Sequence, residues 1–526
     1  MRSKLLICVI VFFGCSGPAI DGQENLSEID LLEFDINKLR QGYENQSYTV
    51  QDVVSYYLSR IEEIDHKGPT LNSVLEINPE AFSIAKQLDD ELASGKSRGP
   101  LHGIPVLLKD NIDTHDKMET TAGSRALKGS QPLQDSFVAR KLREAGAVIL
   151  GKTNLSEWAN FRGELSSSGW SGLGGQTKNP YILDRNPCGS SSGSGVAVSA
   201  NLTMLAIGTE TDGSIVCPSH ANGIVGIKPT VGLVSRSGVI PISFTQDTPG
   251  PMARTVTDAA ICLGALTGID SADTKTLGSK DNHYKDYAQF LDPDGLKGKR
   301  IGFYKGPMGE HFKVDELMLA AIEDLKSNGA EIIELDKIST ISLGDAEFQI
   351  LLYEYKDGLN NYFKSLGPDA PVKNIDELIA FNKGDSVELA FYNQKYLELA
   401  AAKGDLQSPE YLKTLSTAKR YSQQEGIDRV MDLHNLDAIV APTGSPAWKT
   451  DWINGDHFQL GSSSLAAVAG YPNITVPMGF VGELPVGISF FGRAWSEPKL
   501  ILIAYAYEQK TMHRKPPKYL NAPPSY

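Results

Sequence analysis

Apolar positions recur along the chain in two patterns that alternate from residue 31 onward. Helical spacing, as in Val53, Tyr57, Ile61 and Ile64, predicts an amphipathic helix, and Thr49 is placed to cap its N-terminus. Short apolar runs predict buried strands at residues 71–77, 104–108, 147–150, 204–207, 224–227, 300–304, 331–335, 437–441, 474–478 and 486–491. Because strands alternate with helices, the pattern predicts an α/β protein whose sheet is covered by helices on both faces.

Two local patterns refine this prediction. A strand at 300–304, a helix at 314–328 that ends before Gly329 and a strand at 331–335 predict a βαβ unit. The runs at 474–478 and 486–491, joined by a glycine-containing turn, predict a hairpin. Residues 340–430 are mostly helical in pattern and are interpreted as an insertion that caps the sheet. Because no shift in composition marks a boundary, residues 31–526 are predicted to form one large domain.

The first fifteen residues have the pattern of a targeting segment. Arg2 and Lys4 precede a uniformly apolar run at residues 5–13, which is too short to span a bilayer. Gly14 and Cys15 follow, as in bacterial lipoprotein signals, in which the cysteine is lipidated; a plainly cleaved signal is the alternative. We therefore expect a signal peptide or lipoprotein signal at 1–15 and a flexible tether at 16–30. Export to the cell envelope is expected, either to the periplasm or to a membrane surface through lipidated Cys15.

Composition argues against several classes of function. The 526 residues are 41% hydrophobic and 22% charged, which is typical of a soluble globular protein. The net charge of −14 argues against nucleic-acid binding, for which a basic face is expected. The five cysteines include no CxxC pair and the nine histidines no HxxH or HExxH spacing, so neither a redox motif nor a metal site is expected. The sequence leaves open whether Cys188 and Cys217 form a disulfide.

One serine- and glycine-rich segment, at residues 188–218, is the first place to look for chemistry. An apolar run at 196–207 separates two clusters of small residues in it. The first cluster, GSSSGSG, fits neither a phosphate loop nor a dinucleotide fingerprint. It does match the G-x-S-x-G nucleophile elbow, which would make Ser191 the nucleophile, but that motif needs a preceding strand and residues 184–187 have a loop sequence. A glycine-rich entry into a helix is the structural alternative.

The second cluster, at residues 208–218, places Ser214 in a tight loop after a predicted strand. Backbone N–H groups in such a loop are suited to binding a developing oxyanion. A turn between two core strands is the structural alternative. A serine nucleophile needs a base, but neither His102 nor His220 has a clear partner, and we interpret both as structural histidines.

Lys109 is the candidate base. It follows four apolar positions, 105–108, in the sequence HGIPVLLKDN. Burial at such a position favours the neutral amine, which accepts protons. The alternative is a lysine at a strand end that forms a salt bridge with Asp110 or Asp113.

Taken together, these three segments resemble those of the amidase signature family. GIPVLLKDN is similar to the lysine motif of the family, GSSSGSG to its GGSSGGS-type segment, and GTETDGSIVCP to its GTDTGGSIRxP-type segment. The similarity runs from about residue 101 to residue 258 and returns in PNITVPMG and LPVGISFFG. TETDGSIVCP and GWSGLGGQTKNPY look more like the peptide amidase branch than like the amidotransferases that act on glutamyl-tRNA. The resemblance implies an α/β fold with one large domain and a mixed central sheet.

The resemblance also implies roles for individual residues. It implies a Ser–cis-Ser–Lys triad of Ser214 as nucleophile, Ser190 as bridging serine and Lys109 as base. The implied oxyanion donors are the backbone N–H groups of Thr211, Asp212, Gly213 and Ser214. The resemblance also implies that the Ser191 hydroxyl supports the triad. The chain departs from the family motifs at four positions, Cys188, Ser192, Glu210 and Asp212.

These roles imply a serine amidohydrolase that cleaves carboxylic amides through an acyl-enzyme, with C-terminal peptide amides as the first expected substrates. Fatty acyl or aryl amides are alternatives within the family, and a catalytically inactive peptide-binding lipoprotein is the alternative from another class. No metal, organic cofactor or nucleic-acid partner is expected, and the protein is expected to be a monomer or homodimer. Residues 340–430 and the loop at 448–458 are expected to line the substrate pocket.

Overall fold

An 11-stranded β-sheet organises the computed structural model, which describes residues 29–523. Two further strands, β4 and β5, pair only with each other. In chain order the strands are β1 (Val74–Ile77), β2 (Pro105–Lys109), β3 (Val148–Thr153), β4 (Trp170–Ser171), β5 (Gly175–Gln176), β6 (Leu205–Glu210), β7 (Val225–Lys228), β8 (Thr248–Ala253), β9 (Arg300–Tyr304), β10 (Glu331–Leu335), β11 (Ala438–Pro442), β12 (Asn473–Val481) and β13 (Leu484–Phe491).

The large sheet has the order β1-β3-β2-β6-β8-β7-β12-β13-β11-β9-β10. Parallel pairs join β3, β2 and β6 on one side and β11, β9 and β10 on the other. The strands between these two groups are antiparallel to their neighbours. The sheet is therefore mixed, as the resemblance implied.

Helices surround the sheet: α1 (Ile36–Glu44), α2 (Val50–Arg60), α3 (Ala81–Ala93), α4 (Phe137–Glu144), α5 (Ser192–Ser199), α6 (Val216–Ala221), α7 (Val256–Leu266), α8 (Phe312–Ser327), α9 (Gly344–Ser365), α10 (Ile375–Gly384), α11 (Lys395–Ala401), α12 (Pro409–Ser422), α13 (Asp428–His434), α14 (Ser464–Ala469) and α15 (Glu497–Thr511). In residues 29–523, none of these helices combines the length and the apolar character needed to cross a membrane.

Strand β11 shows that both faces of the sheet are covered. Ala438 and Val440 belong to the main apolar core, whereas Ile439 and Ala441 belong to a second core with α13 and α14. Because successive side chains of a strand point to opposite faces, the two cores lie on opposite sides of the sheet. This confirms the predicted α/β architecture with helices on both faces.

Most elements predicted from the apolar pattern are present. Thr49 caps α2 through a capping box with Asp52. The helix predicted through Ile64 instead ends at Arg60 and continues as one wide turn at 61–66. Strands β9 and β10 flank α8 and pair in parallel, and β12 and β13 form the predicted hairpin. The signal at 1–15 and the tether, except its last two residues, lie outside the described residues.

Strand β8 and helix α7 are not predicted by the apolar pattern. The β8 sequence, TPGPMA, carries two prolines and a glycine, which are depleted in strands because proline donates no ladder hydrogen bond. It nevertheless lies between β6 and β7 in the centre of the sheet. A Cβ added at Gly250 would lie 2.1 Å from the carbonyl oxygen of Ile227, so only glycine allows this close approach.

Candidate active site

The carboxyl ends of β2 and β6 bring the three predicted segments together. These strands are parallel neighbours, with Leu108 opposite Ile207, so both end at the same edge of the sheet. Lys109 is the last residue of β2, and Ser214 lies in the loop that follows β6. Ser190 precedes α5, which packs against both strands. Ligands of α/β proteins commonly bind at this edge.

Lys109 is fully buried and contacts hydroxyl and carbonyl oxygens. Its Nζ atom lies 2.8 Å from Oγ of Ser190, 2.9 Å from Oγ1 of Thr209 and 3.2 Å from the carbonyl oxygen of Thr209. Asp110 instead accepts a hydrogen bond from Thr121, and Asp113 accepts one from Tyr362. Across residues 29–523, Lys109 forms no salt bridge, so the strand-end salt-bridge alternative is wrong.

Burial lowers the pKa of Lys109 to about 7, because an ammonium in this apolar strand end loses its hydration. The charges of Asp247 and Glu210 raise the pKa and offset part of this effect. A substantial fraction of Lys109 is therefore a neutral amine near neutral pH. The sequence-based expectation of an uncharged lysine is consistent with this environment.

The Ser190 and Ser191 side chains face different surroundings. The peptide bond between Gly189 and Ser190 is cis, and Ser190 Oγ faces Lys109. The Ser191 hydroxyl is fully buried and donates to the carbonyl oxygen of Thr209 at 3.1 Å, while its backbone N–H donates to the carbonyl oxygen of Ser214 at 3.1 Å. Residues 184–190 contain no strand. A nucleophile elbow at Ser191 is therefore wrong, and Ser191 instead joins the two clusters.

The loop at residues 211–214, called the oxyanion loop below, leads from β6 toward α6. Within residues 29–523, the Ser214 hydroxyl has no hydrogen-bond partner, and the backbone N–H groups of the four loop residues donate to no protein acceptor. Ser214 is 9% exposed. The loop thus presents one unpaired hydroxyl beside a run of unpaired donors. Because α6 follows, the alternative of a simple turn between two strands is wrong.

Two buried carboxyl groups accept hydrogen bonds from the oxyanion loop and from the residues just after it. One carboxylate oxygen of Glu210 accepts the backbone N–H groups of Ile215 and Val216 at 2.7 and 3.0 Å. Asp247 accepts the hydroxyl of Thr211 at 2.6 Å, and burial raises the pKa of Asp247 to about 6. Glu210, which departs from the family motif, therefore caps the first turn of α6.

Asp212 also departs from the family motif, and it fits the loop without a left-handed backbone. The positive φ angle of +77° falls on its neighbour Gly213, where glycine adopts it freely. The carboxylate of Asp212 accepts the hydroxyls of Ser463 and Ser464 at 2.5 and 2.6 Å. These contacts tie the loop to the N-terminal end of α14.

A disulfide between Cys188 and Cys217 connects the two clusters, which answers the question that the sequence left open. The two Cα atoms are 5.9 Å apart. Trp448 packs against both cysteines in a small buried cluster. A cavity of about 1300 Å³ lies beside this cluster and is lined largely by residues 448–457, including Trp448 and Trp452. This wall includes most of the 448–458 loop that the sequence suggested for the pocket, but no residue of the 340–430 segment that was expected to line it as well.

The two histidines near the site differ. His102 is satisfied, since one ring nitrogen lies 3.1 Å from the carbonyl oxygen of Leu88 and the other accepts the Arg98 N–H at 3.1 Å. Neither ring nitrogen of His220 has a partner within residues 29–523, and burial lowers its pKa to about 3. The interpretation as a satisfied structural histidine therefore holds only for His102. Throughout the described part of the chain, no cluster of His, Cys, Asp and Glu is arranged to hold a metal ion.

Sequence reasoning missed several contributors to this site. Thr209 and Asn111 lie inside the motifs, and Asn111 donates to the Thr209 hydroxyl at 3.1 Å. Gln246 and Glu347 lie outside the motifs that gave the triad, and Glu347 belongs to α9 in the 340–430 segment. No local pattern marks Glu347 as a neighbour of the oxyanion loop.

Comparison with known proteins defines the class to which this fold and site belong. Residues 52–501 match the family model described as Amidase. The chain therefore belongs to the amidase signature family and is an amidase, a hydrolase that acts on carbon–nitrogen bonds. The resemblance seen in the three motifs is confirmed.

Three relatives place the chain within the family. It is 50% identical to the native peptide amidase from Stenotrophomonas maltophilia, with a TM-score of 0.90 and coverage of 93% of this chain and 99% of that one. It is 42% identical to a probable amidase of Arabidopsis thaliana, over 94% of this chain and 93% of the relative. Identity to an amidase family protein from Bacillus anthracis is 37%, with a TM-score of 0.84 and coverage of 94% of this chain and 96% of that one.

Proposed function

We propose that the protein hydrolyses C-terminal amides of peptides through an acyl-enzyme on Ser214, with Ser190 and Lys109 as its proton relay. The observation that carries this proposal is the 2.8 Å contact between Lys109 Nζ and Ser190 Oγ in a fully buried site. The hydrogen bonds around Lys109 also support the proposed direction of proton transfer.

A neutral amine has two N–H donors and one lone pair. The carbonyl oxygen of Thr209 has only lone pairs and must accept one N–H of Lys109. The Thr209 hydroxyl already accepts a donor from Asn111, and it takes the second N–H of Lys109 with its other lone pair. The lone pair of Lys109 then faces Ser190, whose O–H donates to it. Ser190 is thereby poised to pass its proton to Lys109.

The first half-reaction forms an ester. The Ser214 hydroxyl, which has no hydrogen-bond partner within residues 29–523, first turns toward Ser190 Oγ. Ser190 then gives its proton to Lys109 and takes the proton of Ser214, so the Ser214 oxygen attacks the amide carbonyl carbon. Backbone N–H groups at residues 211–214 bind the oxyanion. The relay then runs in reverse: Lys109 returns a proton through Ser190 to the leaving nitrogen, the C–N bond breaks and ammonia departs. The Ser214 hydroxyl is free for this role because it has no competing partner within residues 29–523.

The second half-reaction consumes water. Water loses a proton through Ser190 to Lys109 and attacks the ester carbonyl, and the proton returns to the Ser214 oxygen as the ester bond breaks. The products are a carboxylic acid and the free enzyme. No step uses a group outside the protein and its two substrates.

Two observations favour peptide amides as substrates. The structural relative that is 50% identical over 99% of its chain is a peptide amidase. The lining of the cavity beside the disulfide includes none of Lys109, Ser190 and Ser214, so a peptide bound at Ser214 would reach this cavity with its more distant residues. In this cavity, Trp448 and Trp452 would supply apolar area for peptide side chains. Its volume of about 1300 Å³ exceeds the size of a small aliphatic amide.

Ammonia release from a peptide amide, a fatty acyl amide and an aryl amide tests the proposal. We expect the peptide amide to have the highest kcat/KM, Ser214→Ala to be inactive, and a fluorophosphonate probe to label Ser214. Ser83→Ala, the same change on the exposed face of α3, is the matched control. Preference for another amide would overturn the substrate assignment alone. Well-folded protein that neither turns over nor takes the label would instead favour the inactive peptide-binding protein.

We further propose export to the cell envelope. Disulfides persist in oxidising compartments, and the bond between Cys188 and Cys217 joins two parts of the active site. The N-terminal signal pattern supports the same location. Mass spectrometry of the purified protein is expected to show a terminus after residue 14 or later, with a lipid mass if Cys15 is modified. A protein that keeps Met1 in the envelope fraction would contradict this.

A further inference from the structure

A buried acidic side chain from the helical segment reaches the oxyanion loop. Glu347 lies in the first turn of α9 and is 8% exposed. Its carboxyl group accepts the side-chain N–H of Gln246 at 2.7 Å, and the neighbouring carboxyl group of Asp212 acts on its pKa. Within residues 29–523, Glu347 forms no salt bridge with a cation. The mechanism proposed above gives this group no role.

Two neighbouring carboxyl groups repel each other when both are charged, and one proton between them removes this repulsion. Asp212 already accepts two hydroxyl donors, from Ser463 and Ser464. Within residues 29–523, the Glu347 carboxyl group accepts one donor, the side-chain N–H of Gln246. Burial first, and then the charge of Asp212, raise the pKa of Glu347 well above its ordinary value. The proton therefore belongs to Glu347.

The contact with Gln246 indicates which carboxyl oxygen of Glu347 carries this proton. Its side-chain nitrogen donates to Glu347 and also, at 3.3 Å, to the carbonyl oxygen of Thr211. Gln246 is 1% exposed, so water does not compete for these bonds. Since Gln246 uses one Glu347 oxygen as an acceptor, the other oxygen carries the proton toward Asp212. Glu347 and Gln246 thus hold the oxyanion loop at two successive residues, Thr211 and Asp212.

We propose that Glu347 is a positioning residue, whose neutral carboxyl group clamps the oxyanion loop against α9 and so aligns the backbone donors at residues 211–214. This inference rests on the proposed role of Ser214 and its loop. Loss of the Glu347 proton would set two carboxylates against each other and displace the loop. Activity is therefore present while Glu347 is protonated and is lost as the pH rises through its raised pKa.

Asp212 is the charged group that acts on Glu347. Other ionisable side chains on α9, on elements packed against it and beside the loop interact elsewhere: Asp247 with Thr211, Glu354 with Tyr411, Glu410 with Tyr353, Lys403 with Gln349, Lys383 with Glu398, and Lys419 with Lys275 and Glu354. The alkaline loss of activity is thus assigned to the pair Asp212–Glu347.

Kinetics of the full chain with a peptide amide, from pH 6 to pH 10, test this proposal. Glu347→Gln imitates the protonated acid, since its amide nitrogen donates to Asp212 and its amide oxygen accepts from Gln246. We expect this variant to keep kcat within about threefold of wild type at neutral pH and to lose the alkaline decline. Glu347→Ala is expected to lower kcat at least about tenfold at all pH values with little change in KM. Asp345→Asn, an exposed change in the same helical turn, is the matched control.

An alkaline decline that is the same in Glu347→Gln and wild type would overturn the proposal, as would a wild-type kcat that does not decline. If Glu347→Ala fails to fold, the Glu347→Gln profile still decides. Failure of the proposed function is seen separately, because Ser214→Ala would then remain active. A merely structural role for Glu347 would lower activity without moving the pH profile.

Discussion

The Nζ atom of Lys109 lies 2.8 Å from Oγ of Ser190, at the end of a strand in which every residue is buried. Desolvation lowers the pKa of this lysine, whereas a salt bridge to a neighbouring carboxylate would have raised it. The absence of such a partner within residues 29–523 leaves a lone pair available for Ser190. Burial without a charged partner thus gives Lys109 the lowered pKa that the proposed base requires.

The first prediction concerns the acid side of the pH–rate profile. Because only neutral Lys109 accepts a proton, kcat/KM for a peptide amide is expected to rise with pH and to reach a plateau above about 7. Lys109→Ala should lose most of the rate, about 100-fold or more, because the relay has no acceptor. Ammonia release between pH 5 and pH 9 measures both effects. A wild-type profile that is flat through pH 7 would contradict a titrating lysine base.

Glu210 links the oxyanion loop to the base and gives a second prediction. Its charge raises the pKa of Lys109, so Glu210→Gln should lower that pKa and move the acid limb of kcat/KM down by about 1 pH unit. The Gln oxygen can still accept the N–H groups of Ile215 and Val216, so the plateau should change little. Glu210→Ala leaves those donors unpaired and should lower both kcat and stability, the latter by about 1–3 kcal/mol. An unmoved limb in Glu210→Gln would show that its charge does not reach Lys109.

The cost of burying Lys109 gives a third prediction. Its pKa is about 7 in the fold and 10.5 in the unfolded chain, so between these values the unfolded chain binds more protons and wild-type stability rises with pH. Lys109→Met lacks this dependence. Its stability relative to wild type should therefore grow by about 1.4 kcal/mol for each pH unit as the pH falls from 10 toward 7.

Urea unfolding at pH 7 and pH 9 measures this difference. Lys128→Met, which replaces an exposed lysine, is the control and should show the same stability difference at both pH values. If Lys109→Met shows no change in relative stability between the two pH values, the buried amine is charged at both.

The sequence predicted much of this site because its parts are local. Lys109, Ser190 and Ser214 lie in short motifs, and the apolar runs around them predict the strands that place them together. Strand β8 was not predicted because its two prolines contradict strand propensity. Its glycine, Gly250, is explained only by the close approach of the Ile227 carbonyl oxygen from the neighbouring strand. The Gln246–Glu347 contact joins residues 101 positions apart through the packing of α9, which no local pattern encodes. The disulfide likewise depends on a Cα separation that only the fold sets.

The disulfide between Cys188 and Cys217 gives the last prediction. Cys188 lies two residues before Ser190, and Cys217 three residues after Ser214, so the bond connects the segments of the proposed bridging serine and the proposed nucleophile. Closing a loop of this sequence separation is worth about 3–4 kcal/mol of stability in the chain-entropy estimate. The double variant Cys188→Ala, Cys217→Ala should lose stability of that order. It should also show a lower kcat, because Ser190 and Ser214 are then aligned only by the hydrogen bond from Ser191 and by packing.

Cys262→Ala, which removes the buried free thiol of α7, is the control and should keep wild-type kcat. Thermal unfolding and peptide amide turnover, each with and without a reducing agent, measure the two effects. A double variant as active as Cys262→Ala would show that the bond stabilises the fold without aligning the relay.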